Sequence, residues 1–304
     1  MLTVLMATHN GAQTLPKVLE AYLALKPPAN GWQLVVVDNA STDDTPKIIK
    51  RYSDKLPLIG LHTDRRGKNI ALNEGLKHVQ GDLVVFTDDD AIPDPGWLET
   101  LSITAAEQTD YDVFGGEIFP VWPGEPPDWV LRLVNLGATF AITPLGISAG
   151  PVAASQIWGP NMAVRSKVFA SGLQFNEAVG PQSGQYMMGS EVEFTCRMEK
   201  LGHKAWFVPD AIVGHIIRPG QLEREWIIQR AYRLGRHMYH QEAPSFANDP
   251  SLVWGAPRWK YRLLLSAYAV SMAGALQRNF DKKFKGDWEK SFYKGYLSEA
   301  RKNR

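Results

Sequence analysis

The sequence predicts an α/β protein with a doubly wound, mostly parallel sheet and a helical C-terminal extension. Three observations predict it. Residues 1–90 alternate short apolar runs with stretches of helical period, the pattern of a βαβ chain. The runs at Val35-Val36-Val37 and Leu83-Val84-Val85-Phe86-Thr87 end on acids, Asp38 and the triplet Asp88-Asp89-Asp90. From Gln221 the chain changes character and reads as helix to its end.

The elements follow in order. Residues 2–8 read as a strand, and 12–25 as a helix stopped by Pro27 and Pro28. Residues 34–37 form a second buried strand, after which Ser41 or Thr42 caps a helix through Tyr52. Residues 58–62 are a third strand. Residues 68–79 carry Ile70, Leu72, Leu76 and Val79 at helical spacing. The fourth strand runs into the aspartate triplet, and right-handed crossovers make these strands parallel. Residues 112–121 and 157–165 are further strands, and 123–151 is a loop region with short helical pieces. Residues 190–201 form a helix ended by Gly202. Residues 205–208 and 211–215 read as two short strands flanking Pro209-Asp210. Helices then begin at Gln221, at Arg258 and at about Asp287.

Composition narrows the function. The chain has 304 residues, 44% hydrophobic and 21% charged, with net charge +1, so no global field points to nucleic acid. The single cysteine, Cys196, forms no internal disulfide and fits a reducing cytoplasm. Residues 2–7 lack the basic leader of a signal peptide. Residues 263–277 are free of charge but shorter than the roughly 20 residues that span a bilayer.

Three adjacent carboxylates repel one another, and a divalent cation carrying a diphosphate would offset them. The plainer reading is a solvated turn ahead of residues 93–108. Asp38 ends a central strand, where a carboxylate can accept hydrogen bonds from a ribose or base, or can form an Asx turn. Thr8, Asn10 and Gly11 end the first strand in the same crevice. Neither Gly-x-Gly-x-x-Gly nor a Walker A loop is present, which removes the two commonest nucleotide-binding readings.

Taken together, these segments resemble the family 2 glycosyltransferases, which have the GT-A nucleotide-sugar fold. The resemblance covers roughly residues 1–218. It rests on residues 35–43 and 67–75, on Phe86-Thr87-Asp88-Asp89-Asp90, and on Gly159-Pro160-Asn161-Met162. It continues through Gly189-Ser190-Glu191-Val192-Glu193 and closes with Val208-Pro209-Asp210 to His215. The resemblance implies a catalytic domain over 1–220, with a nucleotide-sugar half over 1–110 and an acceptor half over 111–220. Residues 221–304 are then an appended extension.

The family moves a sugar from a nucleotide donor to a hydroxyl, with inversion at the anomeric carbon. By resemblance, Thr8, Asn10, Asp38, Gly67, Lys68, Asp88 and Asp89 bind the donor. Asp90 binds Mn or Mg, and His215 binds that metal or the diphosphate or makes an ordinary hydrogen bond. Glu191 is the general base. Glu191 stands where the family often has Asp, and Leu72 where many relatives have Arg. Glu191 and Glu193 lie about 200° apart around a helix and cannot both face the sugar. Trp158, Asn161 and Met162 match the acceptor floor, with Trp158 reading equally as core, and the apolar stretch over 129–147 reads as a flexible cover over the acceptor.

The resemblance implies a saccharide or lipid-linked acceptor. The tail carries Arg258, Lys260 and Arg262 ahead of its apolar segment and Lys282, Lys283 and Lys285 after it. That pattern suits packing on the catalytic domain, a homo-oligomer, or peripheral contact with the inner face of the cell membrane. A non-catalytic nucleotide-sugar scaffold is a rival reading. A sugar-phosphate nucleotidyltransferase is a weaker one, since residues 8–13 lack its Gly-rich, Arg-bearing loop.

Overall fold

The computed structural model describes residues 1–180, 188–246, 249 and 251–303. The first elements are β1 (Leu2–Thr8), α1 (Leu15–Leu23), β2 (Trp32–Asn39), α2 (Thr45–Tyr52), β3 (Leu58–Thr63), α3 (Lys68–Leu76) and β4 (Leu83–Asp88). There follow β5 (Ala91–Pro93), α4 (Trp97–Glu107), β6 (Val113–Val121), α5 (Asp128–Leu133), α6 (Leu136–Phe140) and β7 (Gly150–Val152). Next come β8 (Met162–Arg165), α7 (Ser166–Ala170), α8 (Ser190–Lys200) and β9 (Ala205–Ile216). The helices α9 (Arg224–Phe246), α10 (Arg258–Leu276) and α11 (Phe280–Lys302) complete the chain.

The chain forms two compact units. The first comprises Met1–Val121, Phe140–Gly184 and Ser190–Ile216, the second Trp122–Thr139, Gln185–Gly189 and Ile217–Arg304. The first holds the sheet, in the order β3-β2-β1-β4-β8-β6-β9-β5, with β7 on β9. The β3-β2-β1-β4 half is parallel, as expected. The other half is mixed, because β8 runs antiparallel to β4 and β6, and β5 and β7 antiparallel to β9. Leu5, Val37, Val84 and Phe86 pack with Leu72, Phe194 and Met198 in one core. Leu72 therefore serves the core, which accounts for an apolar residue in place of the family's Arg.

Two expected strands over residues 205–215 are one. The register against β6 jumps from Gly116 with Val208 to Glu117 with Ile212, so Pro209, Asp210 and Ala211 bulge out. Any side chain at Gly116 would collide with the Ala211 carbonyl, so glycine there admits the bulge.

The second unit is helical. α11 packs on both α9 and α10 through glycines that let backbones touch: Gly295 meets Tyr232, Gly235 meets Phe292, and Gly286 meets Ser271. α11 starts seven residues earlier than expected, because the Asn279 side chain caps it by accepting from the Lys282 N–H at 2.9 Å. Trp129, expected in a flexible cover, instead packs edge-on against Phe284 at 5.1 Å.

Asp287 is buried on α11. It accepts from Ser271 Oγ and Lys283 Nζ at 2.7 Å, from Lys290 Nζ at 2.6 Å, and from Arg224. Burial raises its pKa, but the two lysines and Ser271 outweigh burial and hold it well below the usual carboxylate range. Asp287→Ala leaves three cations without their shared anion and is expected to cost about 2–3 kcal/mol in urea unfolding. In the parent protein this contribution is complete above the unfolded carboxylate value of about 3.9 and is lost as pH falls through the depressed folded value. The gap between parent and variant should therefore narrow in acid. A gap that widened in acid would contradict the assignment.

Candidate active site

Parallel pairing levels the carboxyl ends of β1, β2 and β4. Thr8 is the register partner of Asp38, and Ala7 the partner of Asp88. The triplet therefore emerges beside Thr8, whose hydroxyl donates to Asp89 Oδ2. A Cβ at Gly11 would lie 2.5 Å from Asp89 Oδ2, so glycine lets the lead into α1 pass close to the triplet without displacing that carboxylate.

Asp38 is buried. Its Oδ1 accepts from the Ser41 N–H at 3.1 Å, the Asx turn of the plainer reading, and its Oδ2 lies 2.9 Å from His62 Nδ1. Hydrogen bonds to Asp64 and then Asp38 hold the His62 imidazole above its ordinary pKa. Asn10 faces its neighbouring loop. Its side-chain oxygen accepts from the Thr42 N–H at 2.8 Å, and its own N–H donates to Ser41 Oγ at 2.9 Å. Gly67 precedes α3 at φ 145° and donates its N–H to Asn39 Oδ1 at 2.8 Å.

Lys68 opens α3 and joins two distant segments. Its Nζ lies 2.5 Å from Asp88 Oδ1 and 2.6 Å from Glu191 Oε1. Burial disfavours the ammonium, but Asp88 and Glu191 overcome it and push the lysine pKa up. Burial also raises Glu191, yet Lys68 prevails and holds that carboxyl below its ordinary range. Asp88 moves the other way. Burial raises it, and repulsion from Glu191 and Asp90 offsets the pull of Lys68.

Asp90 is carried to β9 by the pairing of Ala91 with His215, which leaves its Oδ1 3.2 Å from His215 Nε2. His215 Nδ1 lies 2.6 Å from the Phe140 carbonyl oxygen. A carbonyl only accepts, so Nδ1 carries a proton and Nε2 faces Asp90. Burial lowers the His215 pKa, but Asp90 and then Asp88 bring it above the ordinary value.

These residues fit a divalent cation. Asp88, Asp90 and Glu191 put more negative charge here than Lys68 and His215 offset. On losing its Nε2 proton to an incoming cation, His215 would present that nitrogen beside a carboxylate oxygen of Asp90, a mixed donor pair. Among the described residues no group of three or more His, Cys, Asp or Glu is placed to hold a metal by itself. The remaining coordination would fall to phosphate oxygens and water, as for cations bound through one or two carboxylates.

Glu193 turns away from Glu191, as the helical offset requires, and pairs with Arg197 at 3.0 and 3.1 Å. A Cβ on Gly159 would lie 2.6 Å from Glu191 Cγ. The methylene that Glu191 has beyond Asp is thus accommodated by the one Gly159 lacks. Trp158 is half-buried. Asn161 and Met162, expected at an acceptor floor, are core residues. Asn161 accepts from Trp97 Nε1 at 2.9 Å and donates to the carbonyls of Ala211 and Glu117 at 2.7 and 3.0 Å.

Asn69, Asn73 and Ser190 had no role read from sequence. Asn69 Oδ1 accepts from Ser190 Oγ at 2.6 Å, while its Nδ2 donates to the carbonyls of Asn176 and Val179 at 2.7 and 2.9 Å. Asn73 exchanges two 2.9 Å bonds with the Phe175 backbone. Asn69 thus ties α3, which starts with Lys68, to the residue preceding Glu191, and Asn73 ties it to the segment at Phe175. Two Asn four apart on the buried side of one helix were the available signal. Asn69→Ala takes away the partner of the buried Ser190 hydroxyl and of the Val179 carbonyl, and urea unfolding should show a loss of about 1–3 kcal/mol.

The chain matches the model of glycosyl transferase family 2 over residues 3–170, more than half its length. Glycosyltransferase AglE of Haloferax volcanii is 25% identical over 240 residues, covering 77% of this chain and 71% of that protein. Glucosyl-dolichyl phosphate glucuronosyltransferase of the same organism is 22% identical over 206 residues, covering 67% of this chain and 65% of that one. Among solved structures, mannosyltransferase PcManGT from Pyrobaculum calidifontis, in complex with GDP-Man and Mn2+, has the same fold. Its TM-score is 0.62 at 21% identity, over 97% of this chain and 86% of that one.

Proposed function

The chain belongs to glycosyl transferase family 2, and from that premise we propose that it moves a sugar from a nucleotide-diphospho-sugar to a hydroxyl acceptor, with inversion and with Mn or Mg. One observation carries the site assignment: the single ammonium of Lys68 touches both Asp88 and Glu191. It draws the carboxylate expected on the donor and the carboxylate expected as base to either side of one cation.

The roles follow from chemistry. Asp38 and Thr8 stand at the nucleoside end, with Asn10 and Gly67 shaping the loops around it. Asp88, Asp89 and Lys68 face the donor's ribose and diphosphate. Asp90 and His215 would hold the cation, which when bound supplies Lewis acidity to the leaving diphosphate. Lys68 keeps Glu191 ionised at neutral pH, the form a base needs. The acceptor oxygen attacks the anomeric carbon, its proton passes to Glu191, and the bond from that carbon to the diphosphate oxygen breaks.

We infer a lipid-linked acceptor, met at the cytoplasmic face of a membrane. The dolichyl phosphate in the name of one relative supports this. A panel of UDP-, GDP- and dTDP-sugars tests the donor reading. One class should raise the melting temperature in the presence of Mn and release its nucleoside diphosphate. Binding without turnover against a broad acceptor panel would favour the scaffold reading, and no binding at all would reject a nucleotide-sugar site.

A further inference from the structure

We propose that the outer face of α10 is a docking surface for an anionic lipid bilayer. The inference rests on the reading that transfer takes place at a membrane, and it names the surface that would hold the protein there.

Leu265, Tyr268, Ala269, Met272 and Leu276 recur at i, i+3, i+4, i+7 and i+11, one stripe of a helix. The stripe points outward: Leu265 is 68% exposed, Met272 64% and Leu276 83%. The opposite face is already occupied. Ala267, Ser271 and Gly274 are buried, with Gly274 against the Lys283 backbone and Ser271 against Gly286 of α11. Apolar side chains so exposed in a row mark an interaction surface.

Charge identifies the partner. No acid lies between Arg258 and Arg278. Arg258 and Arg262 are exposed on the N-terminal continuation of the stripe, and exposed Arg278 follows its other end. A second copy paired through this stripe, parallel or antiparallel, would set cations against cations. An anionic surface instead complements both ends while the acyl boundary takes the middle. No described helix is long and apolar enough to cross a membrane, so α10 would lie along the surface.

The test is sedimentation of the full chain with phosphatidylcholine vesicles, with and without phosphatidylglycerol, beside an assay of donor turnover. The expected result is binding to the anionic vesicles only, reduced by high salt. The triple variant Leu265→Ser, Met272→Ser, Leu276→Ser should bind about tenfold less tightly, with an unchanged melting temperature and unchanged donor hydrolysis. Arg258→Gln with Arg262→Gln should abolish the preference for anionic lipid. Equal binding to neutral vesicles, equal binding by the triple variant, or a dimer that the triple variant dissociates would each overturn the proposal. Vesicle binding without turnover of any donor would leave the docking surface standing and reject the transferase assignment. Turnover without vesicle binding would do the reverse.

Discussion

Glu191→Gln is expected to lower transfer by about 10²–10⁴-fold, the range for a lost general base, while donor affinity stays within about threefold. The substitution keeps the length of the side chain and leaves an oxygen beside the Lys68 ammonium. It removes the charge that takes the acceptor's proton. Lys68 retains its 2.5 Å contact with Asp88, so the donor side keeps its cation. Steady-state kinetics for transfer and calorimetry for donor binding separate the two effects. Near-normal turnover would remove Glu191 from the base role, and equal loss of binding and transfer would make the residue structural. Glu191→Asp, which lacks the methylene that Gly159 makes room for, should fall between the parent and Gln.

Asp90→Ala is expected to lower kcat/KM by about 10³-fold or more and to abolish the stabilisation conferred by Mn. The fold should survive, because the backbone carbonyl of Asp90, which accepts from the Ile216 N–H at 2.8 Å, is untouched. The substitution also removes the charge that does most to raise His215, so the imidazole pKa should fall towards its ordinary value. Melting temperatures with and without Mn, taken beside turnover, check both effects. A variant that kept its response to Mn and most of its turnover would show that the cation sits elsewhere.

The parallel half of the sheet was legible for a physical reason. Strands buried on both faces read as continuous apolar runs, and those at residues 34–37 and 83–87 are of that kind. The start of α11 was not legible. Lys282, Lys283 and Lys285 read as a basic flank ahead of a helix beginning near Asp287, whereas Asn279 caps a helix that includes them. Pro209-Asp210 read as a break between strands, and the sheet continued because the residue opposite is Gly116. Helix caps and bulges depend on one or two side chains and leave little trace in periodicity.

The family, the β-α order of the first 90 residues and the acids at the ends of β2 and β4 could be read from the residues alone, since burial pattern and strand-end chemistry are local properties. Folding was needed to place Lys68 between Asp88 and Glu191, Asp90 against His215, and Asn69 on Ser190. Those pairs are separated by 20 to 125 positions, and hydrogen bonds and ion pairs at such separations follow from how the elements pack, which no local pattern of residues encodes.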